Sequence, residues 1–138
     1  MPRKGRYTVY TDGACRGNPG KGGCGATLVD PHGRTVASTS KYVGDSTTNN
    51  RCEYQGALEG IRLAKSHGVQ DLVLKSDSQL MCKQVRGEYR VKSDGLRSLH
   101  NEFQHERQAL RSLDVEHIPR ESNKVADSLA NAGIDSRK

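Results

Sequence analysis

Apolar positions along the chain recur first with the period of a strand and then with that of a helix. Residues 6–11 (RYTVYT) alternate β-forming side chains and predict a strand that ends at Asp12. Residues 13–25 carry six glycines and Pro19, which predicts a turn-rich crossing. Residues 24–30 and 35–43 predict two further strands, joined by the turn Asp30-Pro31-His32-Gly33. After Thr47-Thr48-Asn49-Asn50, a plausible helix entry, the spacing changes to Tyr54, Ala57, Leu58, Ile61 and Ala64, a helical stripe that Gly68 ends.

The second half repeats the alternation. Residues 71–76 (DLVLKS) form a short apolar run into Asp77, the signature of a buried strand. Leu80, Met81 and Val85 predict a short helix closed near Gly87, and Leu96, Leu99, Phe103 and Leu110 a longer one. Residues 115–118 read as a last strand halted by Pro119; Val125, Leu129 and Ala132 stripe a closing helix. The order β-β-β-α-β-α-α-β-α implies an α/β fold. Its five-stranded mixed sheet would have three antiparallel strands, then two parallel ones, flanked by helices.

At 138 residues the chain fits one domain, 1–138, with 1–5 and 136–138 expected to be flexible ends. With no Trp and one Phe (Phe103), the core must rest on aliphatic residues and a few Tyr. A net charge of +6 suits a polyanionic partner and equally suits plain solubility. Cys15, Cys24, Cys52 and Cys82 lack the spacing of a zinc or redox motif. No signal peptide and no apolar run near 18 residues is evident, so a cytoplasmic protein with reduced, mostly buried cysteines and no membrane partner is expected. Nothing demands more than a monomer.

Acidic residues sit at the tips of these elements. Asp12 follows the first strand and Asp77 the fourth, Glu53 falls in the first turn of the first helix, and Asp127 in the first turn of the last. Each alone reads equally as a turn residue or a helix-dipole partner. Together they change the reading, because neighbouring strand ends lie about 5 Å apart and converging carboxylates repel unless a cation sits between them. Oxygen ligands without Cys or His favour magnesium or manganese. Two such ions, about 3.5–4 Å apart, can activate water and stabilise a leaving oxygen in phosphodiester cleavage.

At these residues a resemblance becomes specific. The stretch from Tyr10 through Asp12, Gly13, Cys15 and Asn18 to Gly20, with Gly22, Gly23 and Gly25 after it, resembles the opening of type 1 ribonuclease H. Thr47-Thr48-Asn49-Asn50-Arg51-Cys52-Glu53-Tyr54, Ser76-Asp77-Ser78-Gln79 and Asn123 to Ala130 are similar to that family's second, third and fourth motifs, in order. The likeness runs from about Tyr7 to Asp135. It implies a ribonuclease H-like fold and an endonuclease that cuts the RNA strand of RNA–DNA hybrids, leaving 5′-phosphate and 3′-hydroxyl ends. Two Mg2+ ions, with Mn2+ as a substitute, would be held by Asp12, Glu53, Asp77 and Asp127, Asp12 being shared. By the same resemblance Asn18, Thr48, Asn49, Asn50 and Gln79 would grip the two strands, and Cys15 would lie at a backbone contact in the minor groove. That groove is wide and displays 2′-hydroxyls, which amides can answer both as donors and as acceptors. Glycines between Gly17 and Gly25 would let backbone approach the nucleic acid, although turns alone explain Gly22 and Gly23.

Two departures qualify the match. The connector from Arg86 to Gly95 is short and lacks Trp, as in members without the family's basic protrusion; Tyr89, Arg90 and Lys92 are its candidate contacts. The family's mobile loop histidine has no counterpart between Pro119 and Ser122. His117 reads as a strand residue, which leaves Arg120 or Glu121 in the loop. A nucleotide-binding loop at Gly17–Gly22 fails, since Lys21 is followed by Gly22 and then by a strand, so no nucleotide cofactor is expected. A non-catalytic binder, or a nuclease of this fold acting on DNA, remains open at this point.

Overall fold

A computed structural model describes residues 3–136. Its five strands, β1 (Arg3–Gly17), β2 (Gly20–Val29), β3 (Thr35–Thr47), β4 (Val69–Ser76) and β5 (Ser112–His117), form one sheet in the order β3-β2-β1-β4-β5. β1, β2 and β3 pair antiparallel, while β1–β4 and β4–β5 pair parallel. The four helices are α1 (Asn49–Ser66), α2 (Gln79–Val85), α3 (Asp94–Glu106) and α4 (Lys124–Asp135). The expected mixed sheet and element order are therefore present. Residues 3–5, expected as a flexible end, belong to β1, and Arg3 pairs with Val69; 1–2 and 137–138 lie outside the described residues.

The expected crossing at residues 13–25 is instead a hairpin. β1 continues past Asp12 to Gly17, and β2 returns from Gly20 with Gly13 opposite Cys24 and Asp12 opposite Gly25. Gly17, at φ +103°, and Gly20 serve the turn, whereas Gly13, Gly22, Gly23 and Gly25 are there because helices press on the strands. A Cβ on Gly13 would overlap the backbone of Cys52 and Glu53, and one on Gly22 would overlap the side chains of Cys52 and Thr47. On the other face, a Cβ on Gly23 would lie 2.5 Å from the Ala130 carbonyl oxygen and 2.6 Å from the Ile134 nitrogen. Alternate β2 residues thus face opposite helices, so α1 and α4 cover opposite faces of the sheet. Turn chemistry for Gly22 and Gly23 is ruled out by this packing.

α1, α3 and the inner sheet face enclose the core, with Val9, Leu28, Leu58, Ile61, Leu72, Leu74 and Phe103 completely or almost completely buried. Two helical stripes differ from expectation. α3 ends at Glu106, and Leu110 is buried beyond a single 3-10 turn rather than on the helix. α4 buries Ala126, Ala130, Gly133 and Ile134, leaving Val125 60% exposed and Ala132 exposed. Contact with glycine-bearing strands selects the small-residue face of the helix, so the larger Val is turned outward. No helix among the described residues is long and apolar enough to cross a membrane. The four cysteines are free; burial pushes the thiols of Cys24 and Cys52 up to about 12 and that of Cys82 to about 11.

Candidate metal centre and nucleic-acid interface

The parallel pairing of β1 with β4 stops at Thr11 opposite Ser76, so the next residues, Asp12 and Asp77, emerge side by side at the sheet's end. α1 supplies the third acid. Because Gly13 and Gly56 lack side chains, α1 lies directly on β1; a Cβ on Gly56 would stand 2.5 Å from the Asp12 carbonyl oxygen. That approach brings Glu53, one turn further into α1 than expected, over Gly13, whose backbone N–H donates to Glu53 Oε1. One carboxylate oxygen from each of Asp12, Glu53 and Asp77 lies within 4.8 Å of the others. Asp127, in the first turn of α4, lines the same open cavity of about 530 Å³ and adjoins Asp12, though it lies outside that tight trio.

Asp12 and Glu53 are both buried, at 5% exposure. Burial pushes the Asp12 carboxyl up to about 7, with the nearby Asp77 charge adding to the rise and bonds from Glu53 and the Gly13 N–H opposing it. Burial also holds Glu53 well above its ordinary value, and the adjoining Asp12 raises it further. Without a cation, ionising both buried carboxylates together is therefore disfavoured, and holding a proton between them is favoured. The donor set is all oxygen, close-set and electrostatically unsatisfied. Such a set fits a hard divalent cation, which would displace the proton.

The other expected contacts surround this centre unequally. Cys15, Asn49 and Gln79 line the acidic cavity; Asn18, Thr48 and Asn50 line an adjoining cleft, to which Asn49 also belongs. Thr48 caps α1, its hydroxyl accepting the Arg51 N–H at 3.3 Å. The Cys15 thiol is turned onto the Thr47 carbonyl oxygen at 3.2 Å. His117 is the last residue of β5, opposite Ser76, exposed and away from the cavity lining. Of the two loop residues, Arg120 lines the acidic cavity, whereas Glu121 lines a different cleft with Tyr10 and Val125. In the connector, exposed Tyr89 lies beneath the Lys83 ammonium, 4.7 Å from its ring centre.

Sequence reading overlooked Asn131 and gave Asn123 no role of its own. Asn131 lines the cavity and donates to the Asp127 carbonyl oxygen at 3.0 Å and to its carboxylate at 3.5 Å. Its place four residues after Asp127 was the available signal.

Comparison with known proteins agrees with this geometry. A family model described as reverse transcriptase-like matches residues 10–133. A ribonuclease HI of Halobacterium salinarum is 37% identical over 96% of this chain, and a halobacterial RNase H1 crystal structure superposes with a TM-score of 0.92, covering 96% of this chain and 99% of that one. A ribonuclease H of Pseudomonas entomophila is 34% identical over 92% of each chain. The LC11 RNase H1, solved in complex with an RNA/DNA hybrid, matches with a TM-score of 0.88 at 33% identity, covering 94% of this chain and 97% of that one. The chain spans 66% of the halobacterial relative's length and 36% of the mycobacterial relatives it matches.

Proposed function

Because the chain belongs to the type 1 ribonuclease H family, we propose that it is a cytoplasmic, monomeric endonuclease cutting the RNA strand of RNA–DNA hybrids. The observation that carries this reading is the close-set trio of buried Asp12, buried Glu53 and half-buried Asp77, with Asp127 lining the same cavity. Asp12, Glu53 and Asp77 would hold one Mg2+ or Mn2+ ion, and Asp12 with Asp127 a second. Bound there, the cations would supply an activated water and charge stabilisation of the leaving oxygen. Cleavage leaves a 5′-phosphate and a 3′-hydroxyl.

The chain's own residues orient the substrate. Asn49 belongs to both clefts, so one strand laid along them meets Asn18, Thr48 and Asn50 while its neighbour reaches Gln79 and the acids. Side-chain amides and a hydroxyl there suit a minor groove lined with 2′-hydroxyls. Arg120 reaches the cavity from the opposite rim, where its guanidinium suits a phosphate. Lys83 and Tyr89, with Arg90 and Lys92, continue a basic, aromatic edge along the connector that suits the DNA strand.

The test is cleavage of an end-labelled hybrid with Mg2+, with Mn2+ and with chelator, alongside Asp12→Asn and matched RNA–RNA and DNA–DNA duplexes. Metal-dependent cutting of the RNA strand of the hybrid alone, lost in Asp12→Asn, is expected. Binding without cutting would leave a non-catalytic binder, and cutting of the DNA duplex would overturn the substrate.

A further inference from the structure

Asn123 stands immediately before α4 and does not cap it. An asparagine in that place ordinarily turns its side-chain oxygen onto an N–H of the first helical turn. Here the side chain makes no such bond, although it is 1% exposed. Its amide nitrogen instead donates to the backbone carbonyl of Thr11 at 2.9 Å. Asn123 Oδ1 and Thr11 Oγ1 are both left buried without a hydrogen-bond partner among the described residues. Native structures hold few such groups, and each calls for an explanation.

The two ends of Asn123 supply one. Its side chain grips the carbonyl of Thr11, the residue before Asp12, while its own backbone carbonyl accepts the Asp127 N–H at 3.1 Å. One residue thus joins the backbone beside both acids. The body of α4 needs no such tie to stay on the sheet, since Ala130, Gly133 and Ile134 already press on Gly23 and Lys41. The first turn is held more narrowly: Ala126 is its one fully buried side chain, and Val125 is 60% exposed. We propose that Asn123 is a positioning residue that fixes Asp127 relative to Asp12, and thereby sets the second of the two cation sites; this rests on the function proposed above.

Two variants separate positioning from helix capping. Asn123→Ser keeps a capping hydroxyl but is too short to reach the Thr11 carbonyl, whereas Asn123→Ala loses both. Three quantities are measured: thermal stability, Mn2+ binding to the protein alone by calorimetry, and the Mn2+ concentration giving half-maximal hybrid cleavage. Both variants should need about tenfold more Mn2+ for cleavage, the scale expected when a reacting group is misplaced by a fraction of an ångström. Their Mn2+ affinity without substrate, set by Asp12, Glu53 and Asp77, and their KM for hybrid should match the wild type.

Activation that tracks melting temperature instead, with Ser like wild type and Ala shifted, would make Asn123 a helix-start residue and overturn the proposal. So would loss of calorimetric Mn2+ binding, unfolding of both variants, or variants that cleave like wild type. A wild-type protein that cuts no hybrid would overturn the functional reading itself, and the proposal with it.

Discussion

Replacing Asp12 with Asn should make the protein more stable in the absence of divalent cations, and the gain should depend on pH. Folded, the Asp12 carboxyl keeps its proton up to about pH 7, whereas its ordinary value is 3.8. Between those values the folded chain binds more protons than the unfolded one, so this group's contribution falls as pH rises and is fully unfavourable above about pH 7. About three pH units at 1.36 kcal/mol each set a ceiling of about 4 kcal/mol. The Asn amide is itself buried and keeps part of the desolvation cost, so roughly half of that ceiling, about 2 kcal/mol, is the expected gain. For a domain of this size that is roughly 7 °C in melting temperature. Thermal melts in chelator at pH 4, 6 and 8 test it, with the gain near zero at pH 4 and largest at pH 8. Added Mg2+ at pH 8 should then stabilise the wild type and leave Asp12→Asn little changed, because only the wild type offers the site. No gain at pH 8, or an equal gain at pH 4, would refute the account of a charged, buried and cation-starved Asp12.

Other outcomes follow from the packing and the rim. Gly13→Ala places a methyl into the backbone of Cys52 and Glu53; it should cost about 2–4 kcal/mol in urea unfolding and abolish hybrid cleavage even where the variant remains folded. Arg120→Ala should raise KM for hybrid a few-fold, with kcat less affected, and the increase should shrink at high salt. His117→Ala should leave kcat within about twofold of wild type, because the side chain sits on β5 away from the cavity; a loss of tenfold or more in steady-state assays would return it to the site.

The element order and the mixed sheet were legible because strand and helix periods differ and each run is bounded by Gly, Pro or Asn. The convergence of Asp12, Glu53 and Asp77 was legible from their places near element ends, although Glu53 lies one turn further into α1 than its place in the sequence suggested. What escaped depends on the partner surface. The periodicity of α4 pointed to Val125, Leu129 and Ala132. Leu129 does pack against Gly25, but Val125 and Ala132 are exposed. The helix buries Ala126, Ala130, Gly133 and Ile134, because the strand beneath it carries Gly23 and Gly25 where it presses closest. Helical period alone fixes a repeat but not which face wins when the opposing layer is glycine. Likewise an Asn before a helix reads as a cap, and nothing local reveals that its amide is spent on a carbonyl 112 residues away.

The same glycines explain why the acids meet. Glycines in a strand weaken it, and β1 and β2 carry them at Gly13, Gly22, Gly23 and Gly25, where they admit two helices from opposite faces to near backbone contact. α1 thereby delivers Glu53 beside Asp12 from its second turn, and α4 delivers Asp127 to the same cavity from its first. Close approach also excludes water, which lifts Asp12 to about 7 and Glu53 well above its ordinary range. Strand weakness and charge repulsion thus have one origin, the tight apposition of helix ends to the sheet. Both are tolerable in a site that works with a divalent cation between the acids, and a chain without that purpose would gain stability by losing either the glycines or the acids.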